Sequence, residues 1–235
     1  MPQGSVFLIP TFLHEDAPET IPSYVLDAIK QCAVFFVENE KTARRNLKRL
    51  WKEMVIDDYQ WYTIHKAELE VIQAFANHLN NGATIGIISE SGCPCIADPG
   101  QILVAKAQSL NAIIRPLVGP NSILLALMAS GMNGQQFKFN GYLPIDTLER
   151  KKAIKEIETN SAKNNCTEIF IETPYRNNSL IKEIIQTCKD STLFCIATNI
   201  TAPSESIKTQ SIKQWKQLTI DVNKQVTIFL LLAGA

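Results

Sequence analysis

The sequence is short of histidine, of net charge and of the usual nucleotide-binding glycine patterns, and each shortage removes a class of function. Histidine occurs three times, as His14, His65 and His78, and no Ser-His-Asp set can be assigned from them. His78 falls late in a helical stretch and is read as a surface residue, and His14 falls in a loop. Neither Gly-x-Gly-x-x-Gly nor Gly-x-x-x-x-Gly-Lys-Ser/Thr occurs, which disfavours a dinucleotide oxidoreductase or a nucleotide hydrolase of the usual kind. Lys+Arg and Asp+Glu number 23 each, so the formal net charge is zero. General nucleic-acid binders are usually basic overall, so any RNA contact must come from a local patch. The first apolar stretch, 6–9, is too short for a secretory leader or a membrane span. The six cysteines, at 32, 93, 95, 166, 188 and 195, are therefore read as reduced thiols of a cytoplasmic protein. Cys93 and Cys95 form a C-x-C that no second pair or histidine cluster completes. They are read as small loop-packing residues, and no metal is expected.

What is present is alternation. Short apolar runs at 6–9, 33–37, 84–88 and 112–117 are predicted as strands, and 22–31, 42–54, 68–79 and 101–110 as helices. This β-α order argues for a largely parallel sheet with helices on both faces. The pattern changes near Val118, Gly119 and Pro120, which places a domain boundary near residue 117. Beyond it, 122–130 is predicted as an apolar helix. Strands are predicted at 137–140, 168–172, 193–197, 206–209 and 226–232, and helices at 148–160, 178–188 and 211–217. Within 42–54, Leu47, Leu50, Trp51 and Met54 make a core stripe at i, i+3, i+4 and i+7. Lys41, Arg44, Arg45, Lys48 and Lys52 fall on a roughly opposite stripe, which is either a solvated face or a phosphate-contacting face for an RNA substrate.

The most informative segment is Ser89-Glu-Ser-Gly-Cys-Pro-Cys-Ile-Ala-Asp-Pro-Gly100. It follows a predicted strand and precedes a helix, and its two glycines and two prolines impose an irregular backbone. In open α/β sheets, ligands bind at the carboxyl ends of strands. Gly92 would permit close approach of backbone to a ligand. Asp98 sits where it could accept bonds from loop amides or from a ligand.

This segment resembles the signature S-D-A-G-T-P-x-I-x-D-P-G of the ribosomal small-subunit RNA cytidine-2′-O-methyltransferases, part of the tetrapyrrole methylase superfamily. Further stretches fall in the same order. Leu8-Ile-Pro-Thr11 resembles the opening V-P-T-P strand, and Glu38-Asn-Glu40 resembles E-D-T. Leu117-Val-Gly-Pro-Asn-Ser122, with Ala126 and Ser130-Gly131, is similar to P-G-P-S-A followed by A-L-x-x-S-G-L. Phe137-Lys-Phe-Asn-Gly-Tyr-Leu-Pro144, then Arg150, is similar to F-x-F-x-G-F-L-P and its following arginine, and Glu172-Thr-Pro-Tyr-Arg176 to E-S-P-H-R. Most of the departures lie where polar substrate-side groups would be expected. Pro10-Thr-Phe-Leu-His-Glu15 lacks the glycine of P-T-P-I-G-N, and Glu90 replaces the signature aspartate. H-x-x-N-E is reduced to His65 and Glu68, R-E-L-T-K becomes Thr198-Asn-Ile-Thr-Ala202, and the final G-E becomes Lys224-Gln225.

The resemblance implies an N-terminal α/β domain over 1–117 and a C-terminal α+β domain over 118–235, with S-adenosylmethionine between them, and a homodimer. It implies cofactor contacts at Pro10, at Ser89, Glu90, Ser91, Gly92, Cys93 and Asp98, and at Asn121, Ser122 and Glu172. Ile200 and Val226, expected in the last strands, complete the set. The implied reaction is in-line methyl transfer, with ribosomal RNA or the small ribosomal subunit as partner; if the acceptor is RNA, the stripe Lys41, Arg44, Arg45, Lys48 and Lys52, read from the helical spacing, is its expected substrate-binding face. A ribose hydroxyl must lose its proton to a base within hydrogen-bond reach. His14, Glu15 and Glu38 are the candidates, near the carboxyl ends of the first two strands. The readings kept beside it are a methyltransferase for a small molecule, a tetrapyrrole-like ring or a protein, and a non-catalytic cofactor-binding protein.

Overall fold

The computed structural model describes residues 4–64 and 68–234. His65 lies outside the described residues, as does the side chain of Glu68. The chain forms two compact units, Met1–Asn121 and Ser122–Ala235.

In the first unit five strands lie in the order β3-β2-β4-β1-β5, all parallel. They are β1 (Ser5–Ile9), β2 (Val34–Val37), β3 (Gln60–Thr63), β4 (Thr84–Ile88) and β5 (Ile113–Pro116). The central strands are rich in Val, Ile and Phe because both faces are covered. Alternate residues feed two cores. Phe7, Ile9, Phe35 and Val37 pack with α1 (Tyr24–Gln31) and α2 (Glu40–Leu50). Val6, Phe36, Ile85 and Ile87 pack on the other face with α3 (Glu68–Asn80) and α4 (Gln101–Ser109).

Three expectations are corrected here. Strand β3 carries no alternating apolar signal. It forms because Trp61 stacks on Phe35 at 4.9 Å and Tyr62 on Phe36 at 4.7 Å. Tyr62 also reaches His78, whose Nε2 lies 3.1 Å from the phenol oxygen, so His78 is half-buried and not a surface residue. The helix expected over 42–54 spans Glu40–Leu50. Asn39 caps its start by accepting from the Thr42 N–H at 3.2 Å. At its end, Trp51 is extended, and Lys48 Nζ donates to the carbonyls of Lys52 and of Met54, the latter at 2.9 Å. Met54 is buried, as its spacing suggested, but from a loop.

The second unit is a mixed sheet in the order β6-β7-β10-β8-β9, parallel at β6/β7 and antiparallel elsewhere. Its strands are β6 (Phe137–Tyr142), β7 (Thr167–Ile171), β8 (Leu193–Thr198), β9 (Ser206–Ser211) and β10 (Thr227–Leu232). Strand β10 is buried along its whole length, so its apolar run is continuous and not alternating. Helices α6 (Thr147–Asn164), α7 (Asn177–Thr187) and the short α8 (Ile212–Trp215) contribute to one core, and α5 (Ser122–Ser130) contacts β9 and β10. The two units together give the expected pairing of a parallel-sheet α/β domain with a mixed-sheet α+β domain. No helix among the described residues is long and apolar enough to cross a membrane.

Arg150, singled out in sequence, has a structural task. Its guanidinium grips Glu183 through two bonds of 2.7 and 2.6 Å and donates to the Ile145 carbonyl at 3.0 Å. This buried pair joins α6 to α7 and fixes the turn after β6. Breaking a buried pair leaves one charge unpaired, so Arg150→Ala is expected to destabilise by about 3–5 kcal/mol. The double change Arg150→Met with Glu183→Leu is expected to cost much less. Chemical denaturation of the two variants checks the difference.

Candidate functional site

The carboxyl edge of the parallel sheet is where three loops meet. The chain leaving β1 and the chain leaving β4 are joined by a two-way backbone bridge: Thr11 N–H donates to the Gly92 carbonyl at 2.9 Å, and Gly92 N–H to the Thr11 carbonyl at 3.1 Å. The Thr11 hydroxyl lies at 3.5 Å from the carbonyls of both Ser89 and Gly92. The loop after β5 is fastened to the same place. Cys93 Sγ approaches the carbonyls of Gly119 at 3.6 Å and Pro120 at 3.5 Å, and Val118 N–H donates to the Tyr24 hydroxyl at 2.6 Å.

Two glycines make this convergence possible. Gly92 has φ +76°, a conformation costly for any side-chain-bearing residue, and a Cβ there would lie 3.1 Å from Leu13 Cδ2 and 3.2 Å from the Pro120 oxygen. A Cβ on Gly119 would lie 2.1 Å from Pro10 Cβ. A side chain at position 92 would therefore crowd the protein's own loops. The Pro10 ring packs against Gly119.

Beside the bridge stands a group of carboxylates. Glu38, just past β2, accepts the Glu90 N–H at 2.9 Å, and Glu90 accepts the Thr42 hydroxyl at 3.2 Å. Asp98 lies near both. Burial pushes its carboxyl up from the usual 3.8 to about 6; the charges of Glu38 and Glu90 add to that, and a bond from Ser89 opposes it. The loop that carries Asp98 holds Cys95 and Ala97 in the left-handed region, at φ 69° and 64°, a strain that the packing around it sustains. Cys93 and Cys95 serve this packing, and among the described residues no cluster of three His, Cys, Asp or Glu side chains is arranged to hold a metal.

The other expected residues divide. Ser91 is exposed on the loop, Asn121 is buried, and Ser122 is the first residue of α5. Glu172, Ile200 and Val226 meet at one end of the second unit's sheet, past β7, past β8 and before β10. Ile200 and Val226 are not in strands. Ile200 is buried in a turn that follows β8, and Val226 is exposed, its carbonyl accepting the Asn199 N–H at 2.9 Å. Glu172 is fully buried, and Oε1 takes the Thr173 N–H and the Arg176 guanidinium at 2.6 Å each. Among the described residues Glu172 Oε2 has no partner, and at the same end of the sheet neither has Asn177 Oδ1 nor Thr201 Oγ1.

His14 and Glu15 are not drawn to the bridge. His14 Nδ1 accepts the Asp16 N–H at 3.2 Å, and Glu15 faces Arg49 at 3.7 Å. The basic stripe is also divided. Arg44 pairs with Glu40 and lies 5.1 Å from the Trp61 ring centroid, and Lys48 is the helix-end donor described above. Lys52 lies beyond the helix end. Lys41, Arg45 and Lys52 remain exposed. Sequence reasoning missed Thr11, Gly119, Asn177 and Thr201 as organising residues. Thr11 and Gly119 lie inside quoted motifs, but nothing local says that they touch partners about 80 and 110 positions away.

Residues 16–215 match the family model described as Tetrapyrrole (Corrin/Porphyrin) Methylases. The chain belongs to the tetrapyrrole methylase family. Within that family it is 34% identical over 161 residues to Ribosomal RNA small subunit methyltransferase I of Buchnera aphidicola subsp. Schizaphis graminum, covering 67% of this chain and 55% of that protein. It is 29% identical over 203 residues to the protein of the same name from Micromonospora olivasterospora, covering 86% and 61%. This tetrapyrrole methylase thus spans little more than half the length of those relatives. Among solved structures it is similar to the methyltransferase CobJ, with a TM-score of 0.65 and 15% identity over 100% of this chain and 95% of that one. It is similar also to a uroporphyrin-III-C-methyltransferase from Thermus thermophilus, with a TM-score of 0.55 and 11% identity over 98% and 93%. These likenesses establish the fold.

Two measurements test the geometry. Gly119→Ala forces the Pro10 loop away and is expected to cost about 1–3 kcal/mol, as overpacking does, in chemical denaturation. Asp98 holds its proton more tightly folded than unfolded, so its contribution to stability is present below pH 3.8 and is lost as pH rises through about 6. Asp98→Asn is expected to remove that part of the pH dependence. An unchanged stability profile between those pH values would show that Asp98 is not desolvated.

Proposed function

We propose that this chain is an S-adenosylmethionine-dependent methyltransferase acting on a ribose 2′-hydroxyl of small-subunit ribosomal RNA. The observation that carries the reading is the shared name of its sequence relatives, Ribosomal RNA small subunit methyltransferase I, in proteins from separate bacteria. Its homodimeric state belongs to the same reading and rests on the resemblance; its cytoplasmic setting rests on reading the six cysteines as reduced thiols.

The residues present fit the cofactor. S-adenosylmethionine offers a cationic sulfonium and ammonium, ribose hydroxyls and an adenine amine, all of which seek acceptors. The first unit offers the carboxylates of Glu38, Glu90 and Asp98 next to the exposed Ser91. Taken by itself, the second unit leaves buried oxygens of Glu172, Asn177 and Thr201 without a partner among the described residues, and donors of a ligand would satisfy them.

When bound, the cofactor supplies an already activated methyl group, so the protein's share is alignment and removal of the acceptor's proton. The Thr11–Gly92 bridge holds the loops that align. Of the candidate bases, Glu38 stands beside the signature loop, whereas His14 and Glu15 are turned to Asp16 and Arg49. Asp98 joins Glu38 as a candidate, because a carboxyl raised to about 6 is a better proton acceptor near neutral pH than an ordinary one. Lys41, Arg45 and Lys52 are the exposed cations of the stripe that make no ion pair among the described residues, and they would meet phosphate.

Transfer of labelled methyl from S-adenosylmethionine into small ribosomal subunits, free ribosomal RNA, protein and small-molecule fractions tests the reading. The expected outcome is label in small-subunit RNA at a linkage resistant to alkali, undiminished by chelator. Label confined to protein or small molecules, or cofactor binding with no transfer to any fraction, would overturn it.

A further inference from the structure

We propose that the outward face of α6 is a phosphate-binding ridge for the RNA acceptor, a proposal that rests on the reading above. At 100° per residue, Lys152, Lys155, Thr159 and Lys163 fall on one line of the helix, with Lys151 beside it. All five are exposed, and Lys152 is 80% so. Arg150, Ile154, Ile157, Glu158 and Ser161 occupy the opposite, buried side. The line is therefore the part of α6 that its own unit leaves uncovered.

Three observations separate it from an ordinary solvated face. The first is sign. The chain is neutral, yet this face carries four lysines against one carboxylate, Glu156, which lies about 40° round from Lys152, lines the same depression and meets Lys152 at 3.9 Å. Lys151, Lys155 and Lys163 make no ion pair among the described residues. The second is shape. Lys152, Lys155, Thr159 and Lys163, with Glu156 and Asn160, line a shallow depression of about 360 Å³. The third is reach. From Lys152 to Lys163 the helix rises about 16 Å, the axial length of roughly five nucleotides of a duplex strand.

The α2 stripe looked better in sequence and serves less well, because Arg44 and Lys48 are committed to Glu40, Trp61 and the helix end. A regular row of lysines on a rigid helix suits a repeating anion. A folded protein partner would ask for an apolar centre within the patch, and this line has none between Lys151 and Lys163.

The test is Lys152→Gln with Lys155→Gln, which removes charge and keeps helix propensity. Binding of wild type and variant to small-subunit ribosomal RNA is measured across a salt series, with S-adenosylmethionine affinity and thermal midpoint as controls. Two lost phosphate contacts should flatten the salt slope, so that between about 50 and 200 mM salt the variant loses about tenfold less affinity than wild type. Lys152→Arg with Lys155→Arg should behave as wild type. If wild type binds RNA and the Gln variant shows the same slope, the ridge is wrong and the RNA reading stands. If wild type binds no RNA, the reading falls and the ridge with it. If the Arg variant weakens as the Gln variant does, charge is not the cause and the ridge is again wrong.

Discussion

The pair of hydrogen bonds between Thr11 and Gly92 is the constraint on which the candidate site depends. Strands β1 and β4 are parallel neighbours, but the helices that follow them, α1 and α4, pack on opposite faces of the sheet. At such a place the outgoing loops part and leave a crevice. Left alone, two long irregular loops at its mouth would be expensive to order. The bridge orders both at once, and the Cys93 contacts add the loop after β5. Residues from three distant parts of the chain are thereby held on one rigid edge.

The fold was legible because its signals are local. The strands other than β3 and the helices with caps or stops could be placed within a few residues, and the change of pattern near Val118 marked where the architecture changes. Strand β3 was invisible because its stability comes from ring stacking on Phe35 and Phe36, a tertiary effect. The end of α2 was misplaced because Met54 kept the helical spacing while leaving the helix. Its burial is real, and its periodicity is a coincidence of the loop path.

The site was legible in a different way. Sequence motifs brought Pro10, Ser89–Asp98 and Glu172 forward, but not what each does. Gly92 lies close to Leu13 and Pro120, and Pro10 close to Gly119, so both residues stand where the loops meet. Side chains that looked catalytic by type, His14 and Glu15, are engaged locally. Asp98 gains its character only from surroundings that no spacing reveals: partial burial, two neighbouring carboxylates and one hydroxyl. Residue type names possible chemistry, and only the environment selects among possibilities.

The same division runs through the charges of this neutral chain. Cations that are bound to the protein's own carbonyls, carboxylates and rings hold structure: Arg150 on Glu183, Arg176 on Glu172, Lys48 on the end of α2, Arg44 over Trp61. Each is engaged with a group of the protein, and Arg150 is buried as well, so moving one to a phosphate would cost the contacts it now makes. Lys151, Lys155 and Lys163 of α6 make no ion pair among the described residues, Lys152 makes a loose one with Glu156, and all four keep their attraction for an anion. In a protein without net charge, affinity for a polyanion is decided by which cations remain uncommitted, and a count of basic residues along a helix, which favoured α2, cannot reveal that.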